Sequence, residues 1–131
     1  MIWLSVAMGG ALGACLRYAL FLSIGTVSGF PLATFLANAG GSLALGFLAA
    51  LFRGESAGTF DWDSPLRLFL LVGVLGALTT FSTFALEAVD AVRSGRVGLA
   101  MIYVSGTVLI TLVGCWVGFL LGQAMGSSLG R

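Results

Sequence analysis

The chain has 131 residues, of which 59% are apolar and 8% charged, and its formal net charge is +1. Soluble domains carry roughly 25% charged residues, so a soluble globule and a disordered chain are both excluded. A membrane-crossing helix takes about 20 apolar residues, and the length therefore fits a single four-helix membrane domain over residues 1–131.

The first apolar run predicts a helix over about residues 2–24. No basic segment precedes it, so it reads as a retained helix rather than a cleaved signal. Its one charge, Arg17, lies roughly 10 Å from the helix end at 1.5 Å per residue. Snorkelling to the interface explains Arg17. A fixed positive charge at an aqueous vestibule, raising the local anion concentration, explains it equally well.

A short uncharged turn, Gly25 to Phe30, leads to a second helix expected over about 31–52. Pro31 suits its first turn, where a missing N–H does no harm. Thr34, Asn38 and Ser42 recur one turn apart as a polar stripe. Such a stripe is either hydrogen-bonding glue between helices or a pore wall, with the Asn38 NH2 offering two donors to an anion.

The one polar loop covers 53–64, and Ser64-Pro65 reads as an N-cap and first helical residue. The third helix is expected over about 66–92. At its centre, Gly73 and Gly76 precede four hydroxyl residues, Thr79, Thr80, Ser82 and Thr83. This is a poor helix interior, and a break is expected there, at mid-membrane depth. Carbonyls exposed at that depth must be satisfied by protein, water or an ion. If two copies pack antiparallel, their breaks meet on the two-fold axis and offer carbonyls to a small cation such as Na+. A Gly/Thr kink with no ion is the plainer reading of the chemistry alone. Phe81 and Phe84 share one face. Such pairs usually only pack, yet their positive ring edges also suit a partly dehydrated anion.

Glu87, Asp90, Arg93 and Arg96 gather toward the end of this helix and the following turn. Solvated ends explain them, though Glu87 is deep enough to face a vestibule. The fourth helix is expected over about 97–124, with Tyr103, Thr107 and Thr111 forming a hydroxyl stripe. Twenty glycines, many of them four apart, predict close helix packing in lipid.

Several functions are excluded by composition. All six cations are Arg, and His is absent, which leaves no imidazole relay or His-ligated metal. No basic patch suits nucleic acid. No nucleophile–base pair or carboxylate dyad exists, so the chain does not read as an enzyme. Cys15 and Cys115 stand singly in apolar runs and read as packing. Orientation is balanced: Arg53, Arg67 and Arg131 fall on one side, Arg17, Arg93 and Arg96 on the other. Insertion in both directions is expected; that so few charges leave the orientation bias unreadable is the plainer alternative.

Three stretches carry a resemblance. They are Gly9 to Tyr18, Thr34 to Gly46 around Asn38, and Gly73 to Glu87 with its Thr-Thr-Phe-Ser-Thr-Phe run. The chain resembles the Fluc-type fluoride channels, also known as CrcB, over all four helices in order. One departure is Ala77, where many members carry a second glycine. The resemblance implies an antiparallel homodimer in the cytoplasmic (inner) membrane, with two fluoride pathways and passive fluoride export. It implies a structural Na+ at the dimer interface, held by backbone carbonyls of Gly76 and Thr79. It also implies a pathway of Asn38, Phe81, Phe84, Ser82, Thr83, Tyr103 and Thr107; Thr34 is expected to join it from its polar stripe, with Arg17 and Glu87 expected in the vestibule.

Two other classes compete. A small dual-topology multidrug or cation transporter needs a buried acid in its first helix, and this helix has none. A non-transporting membrane assembly subunit leaves the mid-helix hydroxyl cluster unexplained.

Overall fold

The computed structural model describes residues 1–52 and 64–129. The helices are α1 (Ile2–Ile24), α2 (Leu32–Leu51), α3 (Pro65–Arg67), a π-helical stretch (Leu68–Leu75), α4 (Gly76–Leu78), α5 (Phe81–Arg93) and α6 (Val97–Leu129). Grouped as Ile2–Ile24, Leu32–Leu51, Pro65–Arg93 and Val97–Ser128, they make four segments long and apolar enough to cross a membrane.

The expected boundaries need small corrections. Pro31 adopts φ −74°, ψ 73° and stands as the N-cap of α2, so that helix starts at Leu32. Ser64 is extended ahead of Pro65, as an N-cap should be, but makes no side-chain capping bond. The rest of the expected loop, 53–63, lies outside the described residues. α6 runs past the expected end at 124 to Leu129. Nothing there breaks it: the tail holds no proline, and its one glycine within the helix, Gly126, keeps a negative φ.

The π-helical stretch is not expected from the sequence. Its wide turns carry i→i+5 bonds, such as the Gly76 N–H to the Leu71 carbonyl. Helix α1 packs along this stretch. A side chain at Gly9 would overlap the Phe69 carbonyl, and one at Gly73 would press on the Gly9 backbone. α2 and α6 form the other close pair. Gly46 lies against the Cys115 carbonyl and Gly118 against the Leu43 carbonyl, each too close for a Cβ. Small residues are what let backbones approach this way.

Large apolar side chains cover the outside, among them Trp3, Leu22, Leu109 and Trp116. Water would disfavour that surface; lipid tails suit it. At one end, Val27 and Phe30 exchange two backbone hydrogen bonds of 2.9 Å. Ser28 and Gly29 have φ of 52° and 82° between them. Arg96 donates to the Gly29 carbonyl at 3.3 Å and pairs with Asp90 at 3.6 Å. The first and last interhelical turns are thereby joined.

Candidate ion pathway

The site grows from two extended residues. α4 stops at Leu78; Thr79 has φ −75°, ψ 151° and Thr80 has φ −152°, ψ 119°. α5 then starts at Phe81, capped by the Thr80 hydroxyl, which accepts from the Thr83 N–H at 3.3 Å. The interruption falls inside the Gly73–Phe84 stretch.

Two extended residues inside an apolar span need partners for their backbone groups. Asn38 on α2 supplies them. Its Nδ2 donates to the Thr80 carbonyl at 3.1 Å, and its Oδ1 accepts from the Thr80 N–H at 2.7 Å. One of the two amide N–H donors is therefore committed to the backbone, and one remains. On the α4 side, the Thr79 N–H and hydroxyl both donate to the Leu75 carbonyl. The next turn returns no backbone N–H to the carbonyls of Gly76 or Thr79.

Two cavities flank Thr80. The first, of about 280 Å³, is lined by Asn38, Thr79, Phe81, Phe84, Thr107 and Thr111 among others. The Thr107 hydroxyl here is buried and has no hydrogen-bond partner among the described residues. Thr111 is different: its hydroxyl donates to the Thr107 carbonyl at 2.8 Å. The open donors of this cavity thus include the Thr107 hydroxyl and the second N–H of Asn38, and Ser42 lines it as well. The second cavity, of about 210 Å³, is lined by Arg17, Tyr18, Thr34, Thr80 and Thr83 among others. Arg17 is half-buried there.

Glu87 on α5 joins three helices. Its carboxylate accepts from Thr34 of α2 at 2.9 Å and from Tyr103 of α6 at 2.7 Å. Tyr103 is fully buried, and its ring continues a chain of aromatic contacts. Ring centroids are 5.5 Å apart from Phe81 to Phe84, 5.2 Å from Phe84 to Tyr103 and 5.3 Å from Tyr103 to Phe30. The two phenylalanines differ sharply: Phe84 is 5% exposed and Phe81 78%.

The structure thus places Asn38, Thr79, Phe81, Phe84 and Thr107 around one cavity, and Arg17, Thr34 and Thr83 around the other. Glu87 and Tyr103 attach at Thr34. Ser82 is exposed, within 3.3 Å of the Thr80 hydroxyl, and lines neither cavity. Sequence reasoning counts Thr80 only among the hydroxyls that disfavour the helix and gives Phe30 no role. Thr80 is readable as a hydroxyl N-cap ahead of α5. Phe30 carries no signal beyond preceding a proline. Among the described residues no three acidic, Cys or His side chains converge on a metal position.

Comparison with known proteins gives this arrangement a family. The family described as "CrcB-like protein, Camphor Resistance (CrcB)" matches residues 4–119. The chain belongs to the CrcB-like family. It is 40% identical over 125 residues to "Fluoride-specific ion channel FluC 2" of Nitrobacter hamburgensis, covering 92% of this chain and 96% of that protein. It is 40% identical over 126 residues to a "Fluoride-specific ion channel FluC" of Thermus thermophilus, covering 94% and 96%. A Rhodospirillum centenum protein of the same name is 41% identical over 122 residues, covering 90% and 92%. Both cavities and Glu87 fall within the part of the chain that matches the CrcB-like family.

Proposed function

We propose that this chain is a passive fluoride-selective channel through which cytoplasmic fluoride leaves the cell across the inner membrane. The observation that carries the reading is the buried Thr107 hydroxyl, unpartnered among the described residues, facing an uncharged cavity beside two phenylalanine rings. A buried polar group costs free energy unless something binds it. Here the orphan is a donor, the spare Asn38 N–H is a donor, and ring edges are weakly positive. Together they suit a small, strongly hydrated anion that must exchange its water shell for several modest contacts. A full positive charge at this level would hold the ion too long, since conduction needs sites weak enough to leave. Arg17 lies instead in the adjoining cavity, where it would attract anions to the entrance.

The functional unit in this reading is an antiparallel homodimer with two pathways, one beside each copy's Thr107, and with the α4–α5 interruption at mid-membrane depth. The balanced arginines support insertion both ways, and the exposed Phe81 ring supports a second copy over the first cavity. A central Na+ fits the α4 end. Its carbonyls receive no N–H from the next turn, they sit at the negative end of a helix, and they carry no full charge. Gly76 and Thr79 of both copies would hold the ion, which neutralises converging carbonyl dipoles when bound. The experiment that tests the channel reading is fluoride efflux from proteoliposomes with chloride as control. A tag near the C-terminus, detected on both faces of the membrane, tests the antiparallel arrangement.

A further inference from the structure

We infer that Glu87 is a specificity-determining residue: its carboxylate competes with the passing anion for the hydroxyl protons of Thr34 and Tyr103. The inference rests on the fluoride-channel reading above.

A hydroxyl has one proton to give. Thr34 gives its proton to one Glu87 oxygen and Tyr103 gives its proton to the other. Toward anything else, both side chains then present only lone pairs. An anion arriving at this level meets a carboxylate and two acceptors, all of which repel it. Thr34 and Tyr103 become donors only if the anion draws their protons away from Glu87.

That is a contest between acceptors. Hydrogen bonds to a charged acceptor are short and strong, about twice as strong as neutral ones. Fluoride concentrates its charge in a small radius and accepts hydrogen bonds more strongly than chloride does. Fluoride can win a hydroxyl from a carboxylate; chloride, larger and a weaker acceptor, cannot. The geometry favours a real contest. Tyr103 is fully buried and fixed by ring contacts to Phe84 and Phe30, so its hydroxyl has no water to turn to. Thr34 is also buried, and it lines the Arg17 cavity from which an anion would come.

The test compares wild type with Glu87→Gln in liposomes, following fluoride and chloride efflux in the same preparation. A Gln side chain accepts at one atom and donates at the other, so one hydroxyl proton is released without a contest. The fluoride-to-chloride flux ratio is expected to fall about tenfold or more, within the range set by losing one charged hydrogen bond. An unchanged ratio overturns the inference. So does a folded Glu87→Gln protein that passes neither ion, because the carboxylate would then serve passage rather than exclusion. Tyr103→Phe keeps the carboxylate and removes one contested proton. It is expected to slow fluoride and still exclude chloride; a chloride leak in that variant would equally overturn the inference. In protein that keeps Glu87, fluoride but not chloride should shift the infrared carboxylate band of labelled Glu, read in a Glu55→Gln background that leaves Glu87 as the sole glutamate. A wild type that moves no fluoride defeats the channel reading instead, and is distinguishable from every outcome above.

Discussion

The Asn38 side chain pairs with both backbone groups of Thr80, at 3.1 Å to its carbonyl and 2.7 Å from its N–H. It does for this residue what a neighbouring strand would do in a sheet. Asn38→Ala removes both bonds and leaves two buried backbone groups unpaired, each costing about 1–3 kcal/mol. Asn38→Asp keeps the acceptor for the Thr80 N–H but sets a carboxylate oxygen against the Thr80 carbonyl. Both variants are expected to unfold more readily in a denaturant titration in detergent and to lose fluoride efflux. Efflux unchanged in a destabilised Asn38→Ala protein would remove Asn38 from the pathway.

Thr107→Val separates function from stability. Val fills the same space without the orphaned hydroxyl, so folding stability should hold or rise, by about 1 kcal/mol at most. Fluoride efflux should fall at least several-fold. A loss of stability would mean that the hydroxyl has a structural partner after all.

Phe84 and Phe81 should respond differently. Phe84 is packed inside the protomer, and its truncation to Ala is expected to cost about 3–5 kcal/mol. Phe81 is exposed on the protomer, and Phe81→Ala should cost the isolated protomer far less. Unfolding of monomerised protein measures the difference. The reverse order would place Phe81 in the protomer's own packing and remove the reason to seat a second copy over it.

Much of the architecture is readable from one-dimensional pattern. The four apolar runs set four helices nearly at their observed ends, because hydrocarbon length fixes helix length. The polar residues of interest are findable too, since Thr34, Asn38 and Thr107 stand out in apolar surroundings. Their pairings are not. Spacing cannot say that Asn38 turns to Thr80, forty-two positions away, or that Glu87 gathers Thr34 and Tyr103 from two other helices. The π-helical stretch is equally hidden: of the eight residues from Leu68 to Leu75, seven are Leu, Phe or Val with ordinary places on the helix-propensity scale, and the eighth is Gly73. The stretch lies close against Gly9 and Gly13, a tertiary contact that spacing does not announce.

Glycine substitutions probe that kind of packing on the other helix pair. Gly46→Ala forces a methyl group into the Cys115 carbonyl and must part α2 from α6. A loss of about 1–3 kcal/mol is expected, the usual range for overpacking. Gly40→Ala, six residues earlier on the same helix, meets no atom within 4 Å. It should be neutral or stabilising by up to about 1 kcal/mol through helix propensity. Equal effects at the two positions, in denaturant titrations, would be incompatible with the close crossing of α2 and α6.

The channel reading stands or falls on fluoride efflux from liposomes holding the purified protein. Potassium fluoride is loaded inside, a K+ ionophore is added to release the charge balance, and a fluoride electrode reads the outside. Rapid fluoride efflux is expected, with no comparable chloride efflux under the same gradient and with loss of fluoride efflux in Thr107→Val protein. Folded wild-type protein that releases no fluoride, or that releases chloride as fast, would refute the reading.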